Sequence, residues 1–218
     1  ISQNKKTRVS SIEINNLTYS YPENNKLILD NLSLKINSGD YVGIYGKSGS
    51  GKSTFVDLFS GLLIPKSGEI FFDKKNVKDH SDEWKTKIGY VPQKIYLNNE
   101  SIRENIAFGQ NAEDINDLII HDSIKKARLE DLIAHTPKGI NSIIGENGVN
   151  LSGGQIQRLG IARSLYRDTE ILIFDESTNS LDSETEDEFM EVVNKLRGEK
   201  TILFISHKVK VLEKCDKL

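Results

Sequence analysis

Cysteine is almost missing from this chain: Cys215 is the single one in 218 residues. That excludes an internal disulfide framework and fits a reducing compartment; a lone thiol so near the end reads as inert. No apolar run approaches the roughly 18 residues that a membrane helix needs, and no signal-peptide pattern opens the chain. A basic excess is also lacking. Lysine and arginine number 29 against 32 acids, a net charge of −3, so nothing advertises a nucleic-acid or anionic-membrane surface, and no nucleic-acid partner is expected. There is no internal repeat and no low-complexity tract. An initial methionine is missing too, and a chain that opens at Ile1 and stops after "KCDKL" is expected to be a fragment of something longer, shortened at its C-terminal end.

What is present suits a globular domain. Apolar residues make up 37%, with 16 glycines besides, a usual share for a folded chain that can bury a sizeable core. The length fits one domain, or a compact domain with an inserted lobe. Residues 1–9 are polar and basic and read as a linker. From Ile12 to about Ile36, short runs such as "LTYSY" and "LSLKI" alternate as half-exposed strands do, with Leu32, Leu34 and Ile36 on one face. "YVGIYG" reads as a buried strand. Lys52 to Leu63 reads as a helix with Phe55, Leu58, Phe59 and Leu62 in one stripe. "GEIFFD" and "KIGYVPQ" read as strands, and helical periodicity then takes over to about Arg167, with helices expected through "DSIKKARLEDLIAH" and "GQIQRLGIARSLY". The runs "ILIF" and "TILFIS" flank a helix over "SETEDEFMEVVNKLR" whose Phe189, Val192, Val193 and Leu196 are in register. Buried strands alternating with helices predict an α/β fold with a parallel sheet, an antiparallel β part at the N-terminus and an inserted helical lobe at about 94–167.

The stretch "GKSGSGKST" stands between the strand and the helix. Gly46, Gly51, Lys52 and Ser53 match G-x-x-x-x-G-K-[ST], with Lys47, Ser48, Gly49 and Ser50 inside the loop and Thr54 just after it. Glycines let backbone N–H groups fold around phosphate oxygens, the helix N-terminus adds positive potential, Lys52 reaches the β- and γ-phosphates, and Ser53 offers a hydroxyl to Mg²⁺. A glycine turn with a solvated lysine is the plain alternative, and the placement after a strand and before a helix disfavours it. "ILIFDE" supplies the metal-side element. Asp175 arrives at the carboxyl edge of a sheet to orient Mg²⁺, and Glu176 at the strand tip can take a proton from the attacking water. Alone, the two acids read equally well as caps of the next turn.

With "LSGGQ" at Leu151 to Gln155 lying between the phosphate loop's Gly46–Thr54 and Asp175, and with Gln93 in "YVPQ" and His207 after "TILFIS", the chain resembles the nucleotide-binding domain of ATP-binding-cassette (ABC) proteins from about residue 10 to 218. The resemblance implies ATP and Mg²⁺ as ligands and a second copy of the domain as partner, bound head to tail. Ser152, Gly153, Gly154 and Gln155 would cover the γ-phosphate held by the facing copy. It further implies that Gln93 contacts Mg²⁺ or the attacking water, that His207 holds the γ-phosphate, that Tyr21 stacks on adenine with Tyr19 as competitor, and that Asp182 in "NSLD" meets the opposite subunit. The family form is closer to "SALD".

"SIRENIAFG", and "IGENGVNLSGGQ" with Gly145 and Glu146, resemble exporters, where Asn147 is often arginine. Exporters imply a transmembrane domain earlier on the same chain and a site of work on the cytoplasmic face of a membrane. An ABC ATPase acting on nucleic acid would predict basic surfaces, an importer subunit would not be expected to read "SIRENIAFG", and a simple P-loop kinase has no use for "LSGGQ". The cargo is not written in these residues.

Overall fold

The computed structural model describes residues 8–23, 26–145 and 149–218. In chain order the strands and α-helices are β1 (Ser11–Tyr19), β2 (Leu29–Asn37), β3 (Tyr41–Tyr45), α1 (Lys52–Phe59), β4 (Ser67–Phe72), β5 (Lys75–Asn76), α2 (Ser81–Lys87) and β6 (Ile88–Val91). There follow α3 (Ile102–Ile106), α4 (Asp117–Lys126), α5 (Glu130–Ala134), α6 (Gly153–Tyr166), β7 (Ile171–Asp175), α7 (Ser183–Lys195), β8 (Thr201–Ser206) and α8 (Val209–Leu212). The chain condenses into two compact units, one running up to residue 88 and joined by 197–218, the other 89–196.

In the first unit, alternation along β1 decides an antiparallel sheet in the order β2-β1-β4-β5. Ile12 stands opposite Ile36 and Phe72, and Ile14 opposite Leu34 and Ile70, so one face collects apolar side chains and the other stays wet. Val9, counted with the linker, is buried. β3 and β8 pair in parallel, Val42 opposite Leu203 and Ile44 opposite Ile205. All six residues of β8 are buried, as a continuous apolar run requires. The C-terminal residues lie along β3: Tyr41 N–H donates to the Asp216 carboxylate at 2.8 Å and Gly43 N–H to the Lys217 carbonyl at 2.8 Å. Cys215 is held there half-buried, and burial pushes its thiol up to about 11, which keeps it uncharged and unreactive at neutral pH.

The helix expected over 52–63 stops at Phe59, and Leu62 leaves the stripe for solvent, 65% exposed. Gly61 is the reason. At φ 70 it ends the helix, its N–H bonding the Leu58 carbonyl at 3.1 Å while Leu62 N–H returns to Asp57 at 2.8 Å, a Schellman closure. Trp84 of α2 seals the same end, donating its indole N–H to the Phe59 carbonyl at 2.6 Å and stacking on Phe72 at 4.9 Å between centroids. Gly61→Ala forces a side chain into left-handed backbone and is expected to cost about 1–2 kcal/mol, read as a lowered midpoint in thermal unfolding.

In the second unit β6 and β7 are neighbouring strands. The single helix expected through 122–135 is two, α4 and α5, because Arg128 adopts φ 53. Its N–H bonds Lys125 and that of Leu129 bonds Ile124, the same closure as at Gly61, and it turns Leu129 inward to burial. α6 and α7 run as the periodicity predicts. Phe189 of α7 meets Phe174 edge to face at 5.8 Å, and a Cβ on Gly154 would run into Thr185 Cγ2, so that glycine serves the close approach of α6 to α7. Asn105, inside "SIRENIAFG", is fully buried and donates to the carbonyls of Asn98 and Ser101 at 3.1 Å each. Arg163 of α6 donates to the carbonyls of Asn105 at 2.9 Å and Tyr96 at 3.2 Å, fixing the loop that follows Gln93. Among the described residues, no helix is long and apolar enough to cross a membrane.

Candidate functional site

In the first unit, β3 delivers the chain into the loop 46–51 and α1 leaves it at Lys52. Gly51 caps the helix at φ 93, and a Cβ there would stand 2.7 Å from Ile28 Cγ2; only glycine satisfies both demands. A side chain at Gly46 would likewise run into Ser50 Oγ. The cap residue Gly51 makes no side-chain bond to α1, and a helix start of this kind offers its first N–H groups to an anion. Lys47, Ser48, Gly49 and Ser50 are exposed, and Ser53 is exposed one residue into the helix. Lys52 is 9% exposed, its Nζ donating to the carbonyls of Gly46 at 2.9 Å and Lys47 at 3.1 Å. The ammonium is thereby held within the loop rather than trailing in solvent.

Tyr21 is 41% exposed and shares a hydrogen bond of 3.1 Å with Thr54 Oγ1, whereas Tyr19 is buried at 7% and meets the Tyr21 ring edge-on at 5.1 Å. The tyrosine with an accessible ring face beside the loop is therefore Tyr21. His207 is exposed directly after β8, and the following N–H, of Lys208, is tied to Ser206 Oγ at 2.9 Å.

The second unit carries the acids. β7 brings Asp175 to its C-terminal end, where Tyr90 of β6 donates its hydroxyl to Asp175 Oδ2 at 2.8 Å. Glu176 turns out of the strand at φ 49, and Asn179 Nδ2 donates to its Oε2 at 2.8 Å. Gln93 has an exposed side chain, while its carbonyl accepts from Gln157 Nε2 at 2.8 Å. Ser152 caps α6 reciprocally with Gln155: Gln155 N–H donates to Ser152 Oγ at 3.3 Å and Ser152 N–H to Gln155 Oε1 at 2.8 Å. Gln155 thus has its carbonyl oxygen occupied by the cap. Asp182 caps α7 by accepting from Thr185 N–H and Oγ1, and these bonds, the backbone one foremost, hold its carboxyl below the usual range. Gly145 takes φ 107; Glu146 and Asn147 lie outside the described residues.

Tyr90, Gln157 and Asn179 were not legible as site residues. Tyr90 and Asp175 are 85 positions apart and meet through neighbouring strands.

The loop 46–53 of the first unit fits the phosphates of a nucleotide. The loop leaves no room for a Cβ at Gly46 or Gly51 and keeps the Lys52 ammonium on its own carbonyls; Ser53 in this unit and Asp175 in the other each carry a hard oxygen of the kind magnesium takes. Such a loop between a buried parallel strand and a helix defines a P-loop nucleotide-binding domain. Comparison with known proteins is sharper. A family model described as ABC transporter matches residues 29–179. The chain is 36% identical to the ATP-dependent lipid A-core flippase of Photobacterium profundum over 208 residues, 95% of this chain and 35% of that protein. It is 37% identical to the alpha-hemolysin translocation ATP-binding protein HlyB of Escherichia coli O157:H7, covering 95% of this chain and 29% of that one. The structure of a bacterial Atm1-family ABC exporter with ATP bound superposes with a TM-score of 0.82 at 30% identity, over all of this chain and 39% of that one. The chain belongs to the ABC transporter family and has the α/β fold of its ATP-binding domain. It spans about a third of the length of these relatives.

Proposed function

We propose that the chain is the ATP-hydrolysing domain of an ABC exporter or flippase. Two copies close head to tail around two ATP molecules, and closure drives translocation by a transmembrane domain on the same chain, at the cytoplasmic face of the membrane. The observation that carries this reading is the loop 46–53, where Gly51 and Lys52 are fixed by backbone geometry and hydrogen bonds.

Lys52 and the loop amides hold the phosphates, Tyr21 stacks on the base, and Ser53, Asp175 and Gln93 are the residues that would hold Mg²⁺. When bound there, the metal would supply neutralisation of charge on the phosphate oxygens. Glu176 takes a proton from water as that water attacks the γ-phosphorus and the bond to ADP breaks. His207 positions the γ-phosphate. Ser152, Gly153 and Gly154 of the facing copy present a helix N-terminus to the same phosphate, and Asp182 lies on the surface that meets it. Closure does work because ATP binds the closed pair more tightly than the open one.

Turnover per molecule of the purified chain is expected to rise with its concentration. Ser152→Ala is expected to lower turnover about tenfold or more, the worth of a hydrogen bond to a charged group, with ATP affinity of the dilute chain unchanged. Full-speed turnover by a solitary protomer, indifferent to Ser152, would refute the two-copy reading.

A further inference from the structure

Left-handed backbone costs a non-glycine residue free energy and survives only where its surroundings enforce it. Glu176, at φ 49, is enforced by the turn that follows it. Asn179 N–H donates to the Glu176 carbonyl at 3.1 Å and Leu181 N–H to that of Thr178 at 3.2 Å. Ser177 and Thr178 are buried, and Asp182 anchors the far end as the cap of α7. Within this frame Asn179 Nδ2 reaches back to Glu176 Oε2 at 2.8 Å. An ionised carboxylate only accepts, so the amide edge against it must be the NH₂ edge. Asn179 Oδ1 is then the other edge, buried and without a hydrogen-bond partner among the described residues.

We propose that Asn179 is a positioning residue for hydrolysis. Its carboxamide holds Oε2 of Glu176 and so fixes the plane of the carboxylate, aiming it at the attacking water. This role rests on Glu176 being the general base. It needs no metal and no group outside the chain, and it lies where the resembled "SALD" form has a serine, one atom shorter in reach.

The test is a double-mutant cycle in the full chain with Asn179→Ala, Glu176→Gln and the pair, reading kcat, the KM for ATP and equilibrium ATP binding. Asn179→Ala is expected to lower kcat about tenfold, as removal of a hydrogen bond to a charged group does, with KM and binding unchanged. In the Glu176→Gln background the same substitution should cost nothing further, because the base it orients is gone. Parental kcat in Asn179→Ala, an equal loss in both backgrounds, or weakened ATP binding would each overturn the proposal; the last two would mark Asn179 as structural. Parental turnover by Glu176→Gln alone would remove the base itself, and this role with it.

Discussion

Glu176→Gln is expected to bind ATP as the parent does and to hydrolyse it about 10²–10⁴-fold more slowly, the usual contribution of a positioned general base. The substitution is nearly isosteric. A glutamine keeps an oxygen for Asn179 Nδ2 to bond, and it meets the same left-handed backbone at φ 49, so the turn is conserved and the proton acceptor alone is lost. Since the nucleotide then stays intact, the closed pair should become long-lived, and size-exclusion chromatography with ATP and Mg²⁺ should show a dimer that the parent forms only fleetingly. Parental hydrolysis by this variant would discard Glu176 as base.

Lys52→Ala is expected to act earlier, on affinity. Its ammonium is held by the carbonyls of Gly46 and Lys47, so the charge is in place before a phosphate arrives and little ordering remains to oppose binding. Loss of charge-assisted hydrogen bonds to phosphate oxygens should weaken ATP binding by about tenfold or more. Titration with a fluorescent ATP analogue measures this directly, and unchanged binding would remove Lys52 from the cradle. The contrast between the two variants, one losing turnover with binding intact and the other losing binding, separates the phosphate loop from the base.

Much of this domain is local in origin, and the sequence by itself determined that part. Gly46, Gly51 and Lys52 define a loop whose shape comes from backbone freedom and a helix end. The runs 171–174 and 202–205 are apolar throughout, as strands buried on both faces are. Ser152 and Gln155 form a cap within four residues. Each of these depends on neighbours a few positions away, so a short window of residues carries it. The order of the motifs then suffices for the family.

Tertiary structure decided which side chains are buried, which partners far along the chain meet, and where the backbone turns although the residue types do not announce a turn. The resemblance favours Tyr21 and leaves Tyr19 as competitor, and burial of Tyr19 makes Tyr21 the accessible ring. Leu62 fits an apolar stripe, yet it faces solvent because the helix closes at Gly61. Arg128 adopts the left-handed conformation usually left to glycine, which splits a helix that periodicity alone would continue. Tyr90 meets Asp175 only through strand neighbourhood, and Asn179 meets Glu176 only because the turn between them is closed. The physical reason is that a hydrogen bond needs two groups within about 3 Å. Proximity on that scale between residues without a fixed local geometry is created by register, burial and turn closure, which no spacing in the chain encodes.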